Sequence, residues 1–143
     1  MSANAIGFTA GGRKEAEAFF KSTGEAIKAI DTVFQNKTSA GGAGLHSDHQ
    51  PFMLQGIPTA TSVTNIPSEV FRCYHADCDD ISLINRSWMV DQVRFSTMFL
   101  YAIGNAAELP ARRMDDATTK QFLIDNKLKE ALQIAGDWRW KGE

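Results

Sequence analysis

The sequence predicts an α/β layered fold. Three observations predict it. Apolar side chains recur at 3.6-residue spacing between Arg13 and Phe34. A β-branched run, Pro-Thr-Ala-Thr-Ser-Val-Thr, occupies residues 58–64. A second long apolar-periodic stretch follows at residues 87–107. Together they give the order strand, helix, loop, strand, loop, helix, helix.

Residues 5–10 suit the end of a buried strand or a loop, and Gly11-Gly12 breaks that pattern. The helix over 13–34 carries Ala16, Phe19, Phe20, Thr23, Ile27, Ile30 and Phe34 on one face. Its charged residues fall mostly elsewhere, and Gly24 weakens it slightly. Residues 36–47 are polar and glycine-rich, hence a loop. A helical turn is expected at 48–55, with Asp48 as a possible cap, Pro51 near its start and Gly56 as its stop. The run at 58–64 reads as a strand. Residues 65–86 form a long loop dense in His, Asp and Cys, and loops of that length commonly carry function. The helix at 87–107 bears Trp88, Val90, Val93, Met98, Leu100, Tyr101 and Ile103, and Leu109-Pro110 closes it. A third helix begins at Asp115-Asp116, has Phe122, Leu123, Leu128, Ala131, Leu132 and Ala135 as its core side, and breaks at Gly136. Trp138 and Trp140 should pack back on the domain. Phe19, Phe20, Val93 and Leu132 are expected in the core.

With 143 residues, the chain suffices for one modest domain and one hydrophobic core. The net charge of −2 leaves no electrostatic footprint for nucleic acid or an anionic membrane surface. No apolar run approaches the roughly 20 residues that span a bilayer. Residues 1–12 lack the basic and apolar regions of a signal peptide. Met1-Ser2-Ala3-Asn4 leads at once into an apolar stretch and reads like the middle of a domain. Two cysteines, Cys73 and Cys78, are too few for a disulfide scaffold. Three states stay open for them: free thiols, a local disulfide if the loop turns back, or a metal role.

Two segments concentrate the chemistry. One is Gly44-Leu45-His46-Ser47-Asp48-His49-Gln50-Pro51-Phe52, followed by Gly56-Ile57-Pro58. The other is Cys73-Tyr74-His75-Ala76-Asp77-Cys78-Asp79-Asp80. All three histidines of the chain fall inside them, and histidine is the commonest metal ligand and general base. His46, His49, His75 and a cysteine could form a small independent metal site if the two loops meet with tetrahedral geometry. A polar loop whose His and Asp side chains merely bond each other is the plainer reading. His46 on its own reads as a solvated loop residue. Asp77, Asp79 and Asp80 read as a solvated charge run, in which one carboxylate could orient His75.

The pattern Ser47-Asp48-His49-x-Pro51-Phe52, three residues, then Gly56-Ile57-Pro58, resembles a segment of dinuclear (co-catalytic) zinc exopeptidases. These are the aminopeptidase and plasma glutamate carboxypeptidase (carboxypeptidase Q)-like enzymes, with glutaminyl cyclases as more distant relatives. Tyr74-His75-Ala76-Asp77 resembles the second motif of that family, at a fitting separation. The resemblance covers roughly residues 5–107. Pro-Ala-Arg-Arg at 110–113 and the Gly-Asp-Trp-Arg-Trp tail are similar to the bacterial carboxypeptidase-Q-like branch.

The resemblance implies a partial three-layer sandwich of the zinc-exopeptidase type, a mixed sheet with helices packed on it. It implies a peptide substrate and two zinc ions that acidify a shared water and polarise the scissile carbonyl. His75 takes the place of the last metal-binding histidine. Tyr74 takes the place of a phenol that binds the oxyanion of the tetrahedral intermediate. Ser47, Asp48 and His49 would line or support the substrate pocket without binding metal. The family's other ligands and its general base lie upstream of the stretch this chain resembles. Met1 could be the methionine that follows the second aspartate ligand. The expectation is therefore the C-terminal portion of one catalytic domain across residues 1–143, inactive alone and holding no zinc tightly. Its parent enzyme would be extracytoplasmic. Its surface, bared where the other half packs, would self-associate. The reading from another class is a non-catalytic module that binds a peptide or partner chain through the same pocket.

Overall fold

The computed structural model describes residues 4–140 and Gly142. Met1 and the reading attached to it lie outside the described residues. Strand β1 is Asn4–Thr9 and strand β2 is Thr61–Asn65. They pair antiparallel, from Asn4 opposite Asn65 to Thr9 opposite Thr61, with an irregularity between Ala5 and Gly7. On the other edge of β1, residues 37–39 run parallel: the N–H groups of Lys37 and Ser39 donate to Ile6 O and Phe8 O at 2.8 and 3.2 Å. Pairing around β1 is thus antiparallel on one side and parallel on the other, as the expected α/β sandwich with a mixed sheet requires. Gly7 permits the parallel approach, because a Cβ there would lie 2.3 Å from Lys37 O.

Helix α1 is Glu17–Ile30, entered through a 3₁₀ turn at Lys14–Ala16. It ends four residues short of the expected Phe34. Asp31 leaves helical geometry and its carboxylate accepts from Val33 N–H, and the turn drives Phe34 fully into the core. Ile30, expected on the core face, is therefore 72% exposed. Gly24 has a packing reason: a Cβ there would stand 1.9 Å from Asn36 Oδ1.

Helix α4, Arg86–Gly104, packs with α1 over β1. Asn85 caps it by accepting from Trp88 N–H at 3.2 Å. Its buried residues are Phe95 and Phe99. Phe99 lies 4.4 Å from Phe8 and 4.7 Å edge-on from Phe20, and Phe34 lies 5.0 Å from Phe95, ring centre to ring centre. These aromatic rings form the main core. The expected face of α4 needs correction: Val93 is 66% exposed, and Val90, Leu100 and Tyr101 also face out. The helix is apolar on both sides, so periodicity alone could not say which side the sheet takes.

A second core joins helices α2 (Gln50–Leu54), α5 (Asp116–Asp125) and α6 (Lys129–Ala135) through Met53, Leu123, Leu132 and Trp138. The single helix expected after Asp115 is two helices. Lys127, with φ at +60°, turns the chain between them. Asp115 caps α5 by accepting from Thr118 N–H at 2.7 Å, and Gly136 ends α6 in a left-handed conformation. Asp48 does not cap α2: His49 occupies the cap position, and no side chain bonds there. The buried Arg13 ties distant segments together. Its guanidinium donates to Arg112 O at 2.6 Å and to Gly56 O at 3.4 Å, and pairs with Glu15. The long loop holds a short helix α3, Ser68–Phe71, and a 3₁₀ turn, Ile81–Leu83. No described helix is long and apolar enough to cross a membrane.

Candidate functional site

A cleft of about 420 Å³ runs between β2 and α4. Ser47 and His49 line it, together with Ser62, Gln92 and Ser96. The loop that brings Ser47 and His49 there is tethered at several points. His46, at a φ of +68°, turns the chain, and its N–H donates to Gln50 Oε1 at 2.7 Å. Gln50 Nε2 reaches Asp137 at 3.0 Å. The His49 ring nitrogen Nε2 is 3.0 Å from Gly44 O. A carbonyl can only accept, so Nε2 donates this bond and fixes the orientation of the ring.

Gln92 and Ser96 are residues the sequence reading missed. Gln92 Nε2 approaches Ser96 Oγ at 3.5 Å, while its buried Oε1 accepts no hydrogen bond among the described residues. A buried acceptor without a donor is costly. The available signal was a polar pair at i, i+4 on one side of the helix. Asp48, by contrast, is exposed and is not among the residues lining the cleft.

Tyr74 and His75 are brought together elsewhere. Cys73 and Cys78 form a disulfide with Cα atoms 5.2 Å apart, closing the loop that carries both residues. Their ring centres are 3.9 Å apart, and Phe71 stacks on Tyr74 at 5.9 Å. His75 sits at a φ of +58°, a strained backbone for a residue with a Cβ. Tyr74 is 54% exposed. Neither residue lines the cleft of Ser47 and His49. Within the acidic run, Asp80 is engaged locally: the side chain and the backbone N–H of Ser82 hold its carboxyl below the usual carboxylate range.

The donor set was tested against a zinc centre. Among the described residues no three His, Cys, Asp or Glu side chains are placed to hold a metal ion. Both cysteines are committed to their disulfide. The small independent site of His46, His49, His75 and a cysteine is therefore not assembled, because the two loops do not converge their donors. The described residues do not fit a dinuclear zinc group by themselves, and no reaction step is derived through one.

The model of peptidase family M28 matches residues 2–98, more than half of the chain. The chain belongs to peptidase family M28, whose members are in general zinc-dependent peptidases. Both motifs that carry the resemblance, at 47–58 and 74–77, fall within the matched span. No curated protein and no solved structure matches the chain.

Proposed function

We propose that this chain carries the C-terminal, substrate-side portion of an exopeptidase catalytic domain. The whole domain hydrolyses a terminal peptide bond with a metal-activated water. The observation that carries this reading is the family match over residues 2–98, with both motifs inside it. In a complete domain zinc would supply Lewis-acid activation of water and of the scissile carbonyl, and His75 would be one of its ligands. The chain's own residues have narrower tasks. Ser47 and His49 line the cleft where peptide groups bind, together with Ser62, Gln92 and Ser96. Asp48 supports that loop from the solvent side. Tyr74 presents its phenol O–H to a developing oxyanion. His75 presents one imidazole to a metal whose other ligands, and whose general base, come from residues other than those described. The partner of the cleft in this reading is a peptide. The Cys73–Cys78 disulfide supports an extracytoplasmic parent enzyme, because such bonds persist in oxidising compartments.

Zinc titration and metal analysis of the 143-residue chain test the reading, with His75→Ala as control. One imidazole cannot hold zinc tightly, so no binding below about 1 mM is expected, and no peptidase activity. Tight, stoichiometric zinc that is lost in His75→Ala would overturn the inactivity of this chain.

A further inference from the structure

A second cavity, of about 360 Å³, opens beside the first, between the approach to β2 and the C-terminal end of α4. Its body is apolar, lined by Ala10, Phe20, Ala60, Ile103 and Leu109, and one charged side chain, Arg113, borders it. Ile103, Leu109 and Arg113 lie beyond the family-matched span and build one wall. That wall is fixed from within. The buried Arg13 holds Arg112 O at 2.6 Å, and Arg113 Nε donates to Gln55 O at 3.0 Å. The anchored guanidinium pairs with no carboxylate among the described residues. Its acidic neighbours are engaged elsewhere: Asp115 caps α5, and Asp116 bonds Arg139 and the Trp140 indole N–H.

We propose that this cavity binds a small carboxylic acid with an apolar body, the body inside and the carboxylate on Arg113. The volume sits at the low end of ligand cavities, roughly 300–1,000 Å³, so the ligand is small. Arg113 stands between this cavity and the neighbouring cleft of Gln55, Asp115 and Asp116, and with its Nε held by Gln55 O its two terminal nitrogens match a carboxylate. No acidic side chain lines the cavity. A zwitterionic amino acid would leave its ammonium without a counter-charge, so the ligand is a simple monoanion. Two sources share this chemistry: a medium-chain fatty acid, and the acylated apolar residue at a peptide's C-terminus. The inference does not rest on the peptidase reading, since Ser47 and His49 are not part of this cavity.

The test is titration of the full chain, followed by calorimetry and by ¹H–¹⁵N NMR shifts. The acids are octanoate and N-acetyl-leucine, and the uncharged controls are octan-1-ol and N-acetyl-leucinamide. At least one acid should bind, with shifts centred on Ala10, Ala60, Ile103 and Leu109. Its uncharged counterpart should bind about ten-fold or more weakly, as loss of a charge-assisted hydrogen bond implies. Arg113→Gln should weaken the acid similarly, and Arg113→Lys should restore part of it. Binding of octanoate alone identifies the fatty acid as the source, and binding of N-acetyl-leucine alone identifies the peptide end. No binding of either acid, equal binding of the controls, or an unchanged Arg113→Gln overturns the proposal. If Arg113→Gln does not fold, the comparison of acid with control on the unaltered chain decides.

Discussion

At the scale of single residues, two contacts carry sharp consequences. Gly7 lies against the backbone of Lys37, where a Cβ would be 2.3 Å from the carbonyl oxygen. Backbone on both sides leaves no flexible side chain to yield. Gly7→Ala should therefore cost roughly 1–3 kcal/mol, the range for forced overpacking, in urea unfolding. A change within about 0.5 kcal/mol would show that the parallel segment is not held there. The Cys73–Cys78 bond closes a six-residue ring around Tyr74 and His75. By the chain-entropy relation a ring this short stabilises by roughly 2 kcal/mol. The unreduced protein should take up no alkylating reagent, and Cys73→Ser/Cys78→Ser should lower Tm. The sequence left this pairing open, because spacing does not tell whether a loop turns back. It did single out Tyr74 and His75, since a Tyr-His pair in an acidic loop is legible as chemistry. Gln92 was not singled out, since an amide among the other polar residues of α4 gains meaning only from what surrounds its oxygen.

At the scale of elements, α4 decides most. Its inner side places Phe95 and Phe99 among the rings of Phe8, Phe20 and Phe34. Phe95→Ala should cost about 3–5 kcal/mol by cavity formation. Val93→Asp, on the outer side, should change stability by no more than about 0.5 kcal/mol. Equal losses at both positions would mean that the helix is buried on both sides even in isolation. The start of α5 and the tail make a different kind of contact. The carboxyl of Asp116 is held below its usual range by the Trp140 indole N–H and by Arg139, and that of Asp115 by the side chain and backbone N–H of Thr118. Their folded pKa values lie below the unfolded value near 3.8. Their stabilisation is thus complete above that value and is lost as pH falls through the lower folded one. Tm should be flat above about pH 5 and decline in acid, and Asp116→Asn should shrink the decline. A pH profile that Asp116→Asn leaves unchanged would remove this contact from the account. The cap at Asp115 was foreseeable, because a short acidic residue before an apolar-periodic run is a helix start. The break at Lys127 was not, since nothing in the local composition forces a left-handed lysine.

At the scale of the whole molecule, Ile30, Val90, Val93, Leu100 and Tyr101 leave apolar side chains exposed along α1 and α4. Exposed apolar side chains of this kind mark surfaces that pack on something. Self-association is the expected outcome for the chain alone, read as concentration-dependent sedimentation and reduced by Val93→Asp with Leu100→Asp. A monomer at all concentrations would set that expectation aside. The sequence by itself determined the fold class, the two strands and the two long helices at 13–34 and 87–107 in outline, and membership of the M28 family. Periodicity, breakers and short polar motifs are local, and local pattern is what a sequence displays. Only the tertiary structure decided which side of α4 faces the sheet, that Phe34 folds back into the core and that the two cysteines are bonded. It alone decided that His49 meets Gln92 in one cleft while His75 stands apart. Those outcomes depend on contacts between residues far apart in the chain, where burial, close approach and unpaired hydrogen-bonding groups choose among locally equivalent alternatives.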